Sequence, residues 1–592
     1  MSIQTSIQEA VIQSVAACYG QNISSKDFQI NKTKPEFEGD YTIVLFGLLK
    51  VLSQKPEALG KTLGDHLKAQ NGSLFTDYNI IKGFLNLTIS DDYWEQVLTQ
   101  TYKNPCFGRG ALKHKKVMVE YSSPNTNKPL HLGHLRNNFL GWSIASILEA
   151  NGFDVVKTCV VNDRGIHICK SMIAWQRFGN GATPQSTHKK GDHFVGDYYV
   201  KFNDAYKQEI EALIAAGNTK ETAEKEAPIM KATQEMLVAW EAGDADVITL
   251  WKTMNSWVYE GFNQTYQRIG SDFQKTYYES DTYLLGKSTV SEGLEKKIFF
   301  QKDDGSVWID LTAEGLDEKL LLRKDGTSVY ITQDIGLAQL KYDEYKIDES
   351  IYVVGDEQNY HFKVLKCICQ KLGLPYADHI FHLSYGMVEL PTGKMKSREG
   401  TVVDADDLLD EMERVAAEKT QALGKVQDFT PEELHQLHRT LSLGALKFFL
   451  LRVDPKKKMV FNPEESIDFH GYTGPFIQYT HARIKSILRK EQPDEAFEKE
   501  KEALLPAEKD LIMLLENFPL VVEQSGNEQD PSHLANYLYS VAKSFNGFYN
   551  DLSVMNAETA EKKQLRLRIC ALTANVIASG MGMLGIAVPE RM

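Results

Sequence analysis

The sequence predicts a multidomain α/β protein: a doubly wound parallel sheet, a small α+β domain before it and an all-α domain after it. Three observations carry this. The chain has 592 residues, roughly four times the ~150 usual for one domain. KVMVEYSS (116–123), HLGHLRNNFLGWSIASILEANG (131–152) and DVVKTCVVND (154–163) read as strand, helix, strand, a βαβ unit that requires a parallel sheet. Beyond about residue 405 the apolar spacing is helical almost to Met592.

The elements follow in order. Ile3, Ile7, Ala10, Val11, Ser14 and Val15 have helical spacing, TIVLFGLLKVL (42–52) reads as a second helix, and GFLNLTI (83–89) reads as a strand. NPCFGRG (104–110) reads as a hinge. After the βαβ unit, about 181–270 is long, polar and helical, an insertion into the sheet domain. The α/β pattern returns with TSVYITQDIGLAQLKYDEYK (327–346), ESIYVVGDEQNYHFKVLKCICQKLG (349–373) and HIFHLSYGMVEL (379–390), each beginning with a strand. Ligands of such sheets bind at the carboxyl ends of the strands.

Composition narrows the function classes. Hydrophobic residues at 42% and charged residues at 25% fit a packed globular chain rather than disorder. A net charge of −14 argues against a polybasic nucleic-acid binder, although a basic stripe can sit on an acidic body. Seven cysteines, irregularly spaced and without a CxxC pair, favour neither disulfides nor zinc and fit a reducing compartment. The first twenty residues lack Lys, Arg and a long apolar run, and LGALKFFLLRV is broken by Lys447 and Arg452. The expectation is a soluble, cytoplasmic protein without secretory signal or membrane span.

Two motifs carry chemistry. His131-Leu132-Gly133-His134 lies where the loop after the first strand meets a helix N-terminus, a place that favours phosphate. Gly133 leaves room for a flat adenine, and two imidazoles can donate to phosphate oxygens that gain charge. The same residues also read as two helix-capping histidines; no third zinc ligand lies nearby. Lys394-Met395-Lys396-Ser397-Arg398, on a glycine-flanked loop after the last strand, suits a polyphosphate leaving group or is a solvated basic loop.

HLGH followed by KMKSR resembles the HIGH and KMSKS pair of class I aminoacyl-tRNA synthetases. The finer resemblance, over essentially the whole chain, is to the arginyl-tRNA synthetase family. It rests on VEYSSPNTNKPLHLGHLRNNFLG, YITQDIGLAQLKYD, GDEQNYHF, DFHGYTGPFIQYTHARI and the terminal VPERM, in that order. The resemblance implies a Rossmann-type catalytic domain (109–404, with the helical insertion), a tRNA-contacting N-terminal extension (1–108) and an anticodon-binding all-α domain (405–592). It implies formation of arginyl-adenylate from L-arginine and ATP, with release of pyrophosphate, and transfer of arginine to the 3'-terminal ribose of tRNA(Arg). Mg2+ is expected with ATP, no structural metal is expected, and the family is usually monomeric. A simple nucleotidylyltransferase shares HxGH but needs no long helical tail.

By position, the resemblance assigns arginine binding to Glu120, Asn125, His131, Glu279, Tyr330, Asp334 and Gln358. A planar guanidinium with five donors suits carboxylates and aromatic flanks, although Asp334 also reads as a helix N-cap and Glu279 as a solvated loop acid. ATP falls to His131, Gly133, His134, Gly355, Asp356, Met387, Val388 and Lys394, with His361 and His382 as further contacts or packing histidines. For tRNA, aromatic and cationic residues interleave at Tyr472, Phe476, Gln478, Tyr479, Arg483 and Lys485, with Lys456–Lys458 nearby; this suits an unstacked loop or a solvated face. Tyr549, Met592 and Asn86 resemble further tRNA positions. One departure stands out: Ser397 occupies the place of the family's second loop lysine. Catalysis is therefore assigned to His131, His134, Lys394, Lys396, Arg398 and Lys128, with Lys128, a lysine the family carries upstream of HIGH, replacing the absent cation.

Overall fold

The computed structural model describes residues 2–389, 391, 403–424, 428–494 and 502–592. Its first helix, Ile3–Tyr19, buries Ile3, Ile7, Ala10, Val11, Ser14 and Val15, the face the spacing predicts. An antiparallel sheet follows: β1 (Gln29–Lys32), β2 (Tyr41–Val44), β3 (Phe75–Ile81) and β4 (Phe84–Ile89), in the order β1-β2-β4-β3. The helix expected over TIVLFGLLKVL is thus divided, with only Phe46–Leu52 helical. Thr42, Ile43 and Val44 pair across β1 and β4 instead, as β-branched side chains favour. The expected hinge is pinned: Gly108 has φ 93° and abuts Phe518, whose ring lies 6.0 Å from that of Phe107.

The central sheet contains β5 (Lys116–Glu120), β6 (Asp154–Val161) and β7 (Lys275–Tyr278). A small antiparallel sheet of β8 (Phe300–Gln301), β9 (Val307–Ile309) and β10 (Lys319–Leu322) intervenes before β11 (Glu349–Gly355) and β12 (Ile380–Tyr385) return to the centre. The order β12-β11-β5-β6-β7, parallel throughout, places the switch point between β5 and β11, where ligands of such sheets bind. Helices including Gly191–Ala215 and Ala245–Ile269 fill the insertion between β6 and β7.

The expected strand over TSVYIT is absent. Tyr330–Tyr345 is a helix, and Ser328 makes only an isolated bridge to Leu322. Ile331, Ile335, Ala338 and Lys341 are buried, a helical period that outweighs the local β preference. KTYY supplies the fifth strand. Asp334 therefore lies inside the helix rather than capping it; Val329 is the N-cap residue.

Beyond Asp404 the chain is mainly helical, with Ala405–Leu423, Pro431–Leu451, Gly474–Lys490, Ser532–Asp551 and Ala560–Met583 its longer helices. It is stitched to the sheet domain where β13 (Val388–Glu389) pairs in parallel with β14 (Met459–Val460). Among the described residues no helix is long and apolar enough to cross a membrane.

Candidate active site

The phosphate-facing end is built by the helix Leu132–Ala150. His131 is its N-cap residue, and its Nδ1 accepts from the Gly133 N–H at 3.1 Å. The His131 N–H donates to His134 Nδ1 at 3.2 Å. With both Nδ1 atoms accepting, each neutral ring carries its proton on Nε2, a donor suited to phosphate oxygen. Burial keeps both rings neutral, pushing His131 down to about 4 and His134 well below its usual value. The positive charge of Lys128 adds to both shifts.

The segment leaving the lysine-rich loop returns to this helix. Leu132 N–H donates to Val403 O, Ala405 N–H donates to Leu130 O, and His131 bridges Asp404. Lys394, Lys396 and Arg398 themselves lie outside the described residues. Below, the Lys190 ammonium joins Asp192 at 3.0 Å, Asp406 at 2.7 Å and Thr265 at 2.5 Å. Asp192, His193 and Asp406 bring ligand atoms within 4.8 Å of one another, but Lys190 already supplies positive charge to both carboxylates.

The other side of the edge gathers carboxylates at strand ends. Glu120 ends β5, 7% exposed, and its carboxylate accepts from the buried Lys341 ammonium. Burial works against that ammonium, but Glu120 holds its pKa above the usual value, and the Tyr352 ring lies 4.6 Å from it. Asp334 and His361 Nε2 are 2.6 Å apart. Glu279 follows β7; burial lifts its carboxyl above the usual range, and the charges of Asp163 and Asp334 add to that against the pull of Arg164. Asp163, past β6, accepts from Ser280 N and Oγ at 2.9 and 2.7 Å and from the Tyr259 hydroxyl at 2.8 Å. Arg164 lies 3.9 Å over the Tyr283 ring and pairs with Glu241 at 3.0 Å.

The remaining candidates are distributed as follows. Asn125 is exposed on the β5 loop and bridges Asn162. Tyr330 starts its helix 75% exposed. Gly355 ends β11, Asp356 and Gln358 follow in a short 3-10 turn, and Gln358 is exposed. Met387 is exposed, whereas Val388 is buried against Met459. His382 Nε2 lies 3.0 Å from Val354 O and stacks on Phe362, a packing role.

A second cleft, of about 490 Å³, brings together Tyr479, Arg483, Tyr549 and Met592 with Phe429, Arg489 and Arg591. The Arg483 guanidinium lies 4.9 Å from the Tyr479 ring and 5.6 Å from that of Tyr549. Lys485 pairs with Glu590 at 3.3 Å. Tyr472 and Phe476 pack on Tyr539, at 4.5 and 5.4 Å. Gln478 is fully buried and donates to Thr440 O and Ala587 O; buried there, it shapes the cleft by holding the terminal segment rather than by facing a ligand. Asn86 is likewise buried, bonded to Thr42 and Asn79, so it acts through those neighbours. The Lys456–Lys458 turn lies beside the sheet domain, where its Lys457 and Pro455 carbonyls accept from Arg136.

Sequence reasoning missed Lys341, Asp163, Arg164 and the exposed Phe46–Phe84 pair, 5.5 Å apart. The signal for Asp163 and Arg164 was their place just beyond a parallel strand. For Lys341 it was the helical spacing from Ile331, Ile335 and Ala338.

The family described as tRNA synthetases class I (R), catalytic domain, matches residues 95–462. The DALR anticodon binding domain matches 477–592, and the arginyl tRNA synthetase N terminal domain matches 1–89. Proteins named arginine–tRNA ligase from Parabacteroides distasonis and Bacteroides thetaiotaomicron are 52% and 54% identical, over 100% of both chains in each case. The solved arginyl-tRNA synthetase of Thermus thermophilus, 24% identical, shares the fold with a TM-score of 0.78 over 100% of both chains. With relatives this similar along its full length, the chain belongs to the arginyl-tRNA synthetase family.

Proposed function

We propose that the chain activates L-arginine with ATP and transfers arginine to the 3'-terminal ribose of tRNA(Arg). The observation that carries this is the full-length similarity to arginine–tRNA ligases, 52% and 54% identical over 100% of both chains, in a chain whose helix Leu132–Ala150 starts with two buried, neutral imidazoles. A guanidinium satisfies paired carboxylates through its planar fork, while the ammonium of lysine leaves acceptors unpaired. Tyr330 flanks the side chain, and Glu120, Asn125 and Gln358 hold the substrate's remaining polar groups. The arginine carboxylate attacks the α-phosphorus of ATP, the bond to the β-phosphate oxygen breaks, and pyrophosphate leaves. A ribose hydroxyl then attacks the activated carbonyl, and AMP leaves.

His131 and His134 donate from Nε2 to the phosphate, Gly133 admits adenine, and Gly355, Asp356, Met387 and Val388 line the nucleoside. Mg2+ accompanies the ATP and supplies charge neutralisation on the phosphates. Lys128 replaces the cation missing at Ser397; that its charge acts on both imidazoles supports this role. Lys394, Lys396 and Arg398 steer the phosphates.

Transfer RNA spans the molecule. The Tyr479, Arg483, Tyr549 and Met592 cleft takes unstacked anticodon bases, where aromatic faces and guanidinium suit stacking. The exposed Phe46–Phe84 pair, whose Phe84 lies on the same small sheet as Asn86, suits a base at the elbow. Domain boundaries fall near 108 and 404. The chain acts in the cytoplasm as a monomer, and docking of tRNA is required for adenylate formation, a form of induced fit. Charging of total tRNA with each of the twenty amino acids tests the reading; arginine alone should be accepted efficiently. Arginine-dependent pyrophosphate–ATP exchange should need cognate tRNA, and equal exchange without it would remove that claim.

A further inference from the structure

Lys447 is a lysine buried without a carboxylate. It lies on the helix Pro431–Leu451 and is 6% exposed. Its Nζ donates to Gly585 O at 2.6 Å and lies 5.3 Å from the ring of Phe139. Among the described residues it makes no ion pair. Burial alone pushes it down to about 8. A buried ammonium without a counter-charge works against stability, and such groups persist where function requires them.

Its position joins three parts of the molecule. Phe139 belongs to the helix that begins at HLGH. Gly585 has φ 69°, and a Cβ there would lie 3.1 Å from Trp142 of the same helix and 3.2 Å from Lys447 Nζ. Trp142 donates to Asp272 Oδ1 at 2.8 Å, and the Tyr121 hydroxyl donates to Asp272 O at 2.6 Å, which leads directly to the end of β5. From Gly585 the chain runs out to the second cleft along a ladder of side chains. Gln478 donates to Ala587 O at 2.7 Å, His481 Nδ1 lies 3.0 Å from Pro589 O, and Arg489 donates to Glu590 O at 2.7 Å. Met592 then lines the cleft.

We propose that Lys447 is a positioning residue that ties residues 585–592 to the HLGH helix, so that filling the cleft is felt at the catalytic edge. The proposal rests on reading that cleft as the tRNA site. The terminal segment is gripped at both ends, by the cleft and by this ammonium. A displacement at Met592 therefore has a route through the hydrogen bonds of residues 585–590 to the ammonium beside Phe139. Coupling of this kind usually amounts to about 5–150-fold in affinity.

The test uses the full-length enzyme with Lys447→Met, Lys447→Arg and Gly585→Ala. Lys447→Met removes the charge at similar volume, and Gly585→Ala pushes the segment off its tie without changing charge. Arginine-dependent pyrophosphate–ATP exchange at saturating tRNA, the arginine dissociation constant with and without tRNA, the tRNA dissociation constant and the melting temperature are measured together. Expected for both Lys447→Met and Gly585→Ala is a loss of at least about tenfold in exchange and in the tRNA effect on arginine affinity. The tRNA affinity of the apo enzyme should stay within threefold of the parent, and Lys447→Met should melt no lower than the parent. Lys447→Arg should keep most of the coupling. Parent-like coupling in Lys447→Met, or lost activity matched by a fall in melting temperature, overturns the proposal. Arg483→Ala reports separately on the cleft: if it leaves tRNA affinity unchanged, the cleft reading fails irrespective of Lys447.

Discussion

The catalytic edge and the helical cleft both gather charged and aromatic side chains, but they satisfy their charges differently. At the edge the acids have protein partners before any substrate arrives: Glu120 has Lys341, Asp334 has His361, and Asp163 has Ser280 and Tyr259. In the cleft, Arg483 and Arg591 lie over the rings of Tyr479, Tyr549 and Phe429. Strand ends hold the first set in fixed positions, as a small ligand read by geometry requires. Helix faces and a terminal segment form the second, where the cations stack on rings and also reach Asn546 and Glu433, a layered surface suited to a large polyanion.

The sharpest way to break the edge is to strand one of its internal pairs. Lys341→Met leaves Glu120 as a buried, uncompensated carboxylate and should cost about 3–5 kcal/mol in unfolding free energy, read by urea denaturation. Adding Glu120→Gln should restore most of that stability while arginine use stays impaired. Recovery of both together would make Glu120 purely structural.

Next in size is Lys128→Ala. A cation placed beside the developing charge acts in the transition state, and removing one such group costs about 10²–10³ in rate, or roughly 2.7–4 kcal/mol. Adenylate formation should fall by that factor with little change in arginine affinity, and Ser397→Lys in the same background should recover part of it. A loss within threefold would assign the role elsewhere, with Lys396→Ala the variant to examine.

Asp334→Ala should raise the KM for arginine by about 10–150-fold, the range for losing hydrogen bonds to a charged group of roughly 1.5–3 kcal/mol, and leave the KM for ATP within threefold. In the cleft, Tyr549→Ala should weaken tRNA binding by roughly 1–3 kcal/mol, the usual worth of one base–aromatic stack, without altering arginine affinity in the apo enzyme. Equal effects of these two variants on both ligands would erase the distinction between the regions.

Part of the edge was legible because strand–helix–strand order fixes where strands end: Glu120 and Gly355 close predicted strands and HLGH opens the predicted helix, whereas Glu279 came from the resemblance alone, its strand KTYY having no signal of its own. The cleft was legible only in part. Tyr479 and Arg483 share an open helix face, but Gln478, one residue earlier, turns inward to hold Ala587, a contact across 109 residues that local spacing does not reveal. The strand predicted over TSVYIT failed for a related reason. Val329, Ile331 and Thr332 favour a strand locally, while burial of Ile335, Ala338 and Lys341 against distant partners decides for a helix. Lys341 was hidden because its partner Glu120 lies 221 residues away.

The smallest expected effect concerns the imidazoles. Burial and Lys128 hold His131 near a pKa of about 4 in the folded protein, against about 6.5 in an unfolded chain. Between these values the unfolded state binds more protons, so stability falls as pH drops from about 6.5 towards 4. By linkage this group alone should cost about 0.7 kcal/mol near pH 6 relative to neutral pH. His131→Gln should flatten that part of the stability profile. Lys128→Ala should make that loss smaller and end it at a higher pH, because without the repelling ammonium the folded protein takes up the proton earlier. Between pH 8 and 6 the rate should not change through protonation of His131, because its ring remains neutral there and its Nε2 proton remains available to the phosphate. A step in adenylate formation between pH 8 and 6 that disappears in His131→Gln would show instead that the imidazole titrates, and that the edge is less closed to water than its geometry indicates.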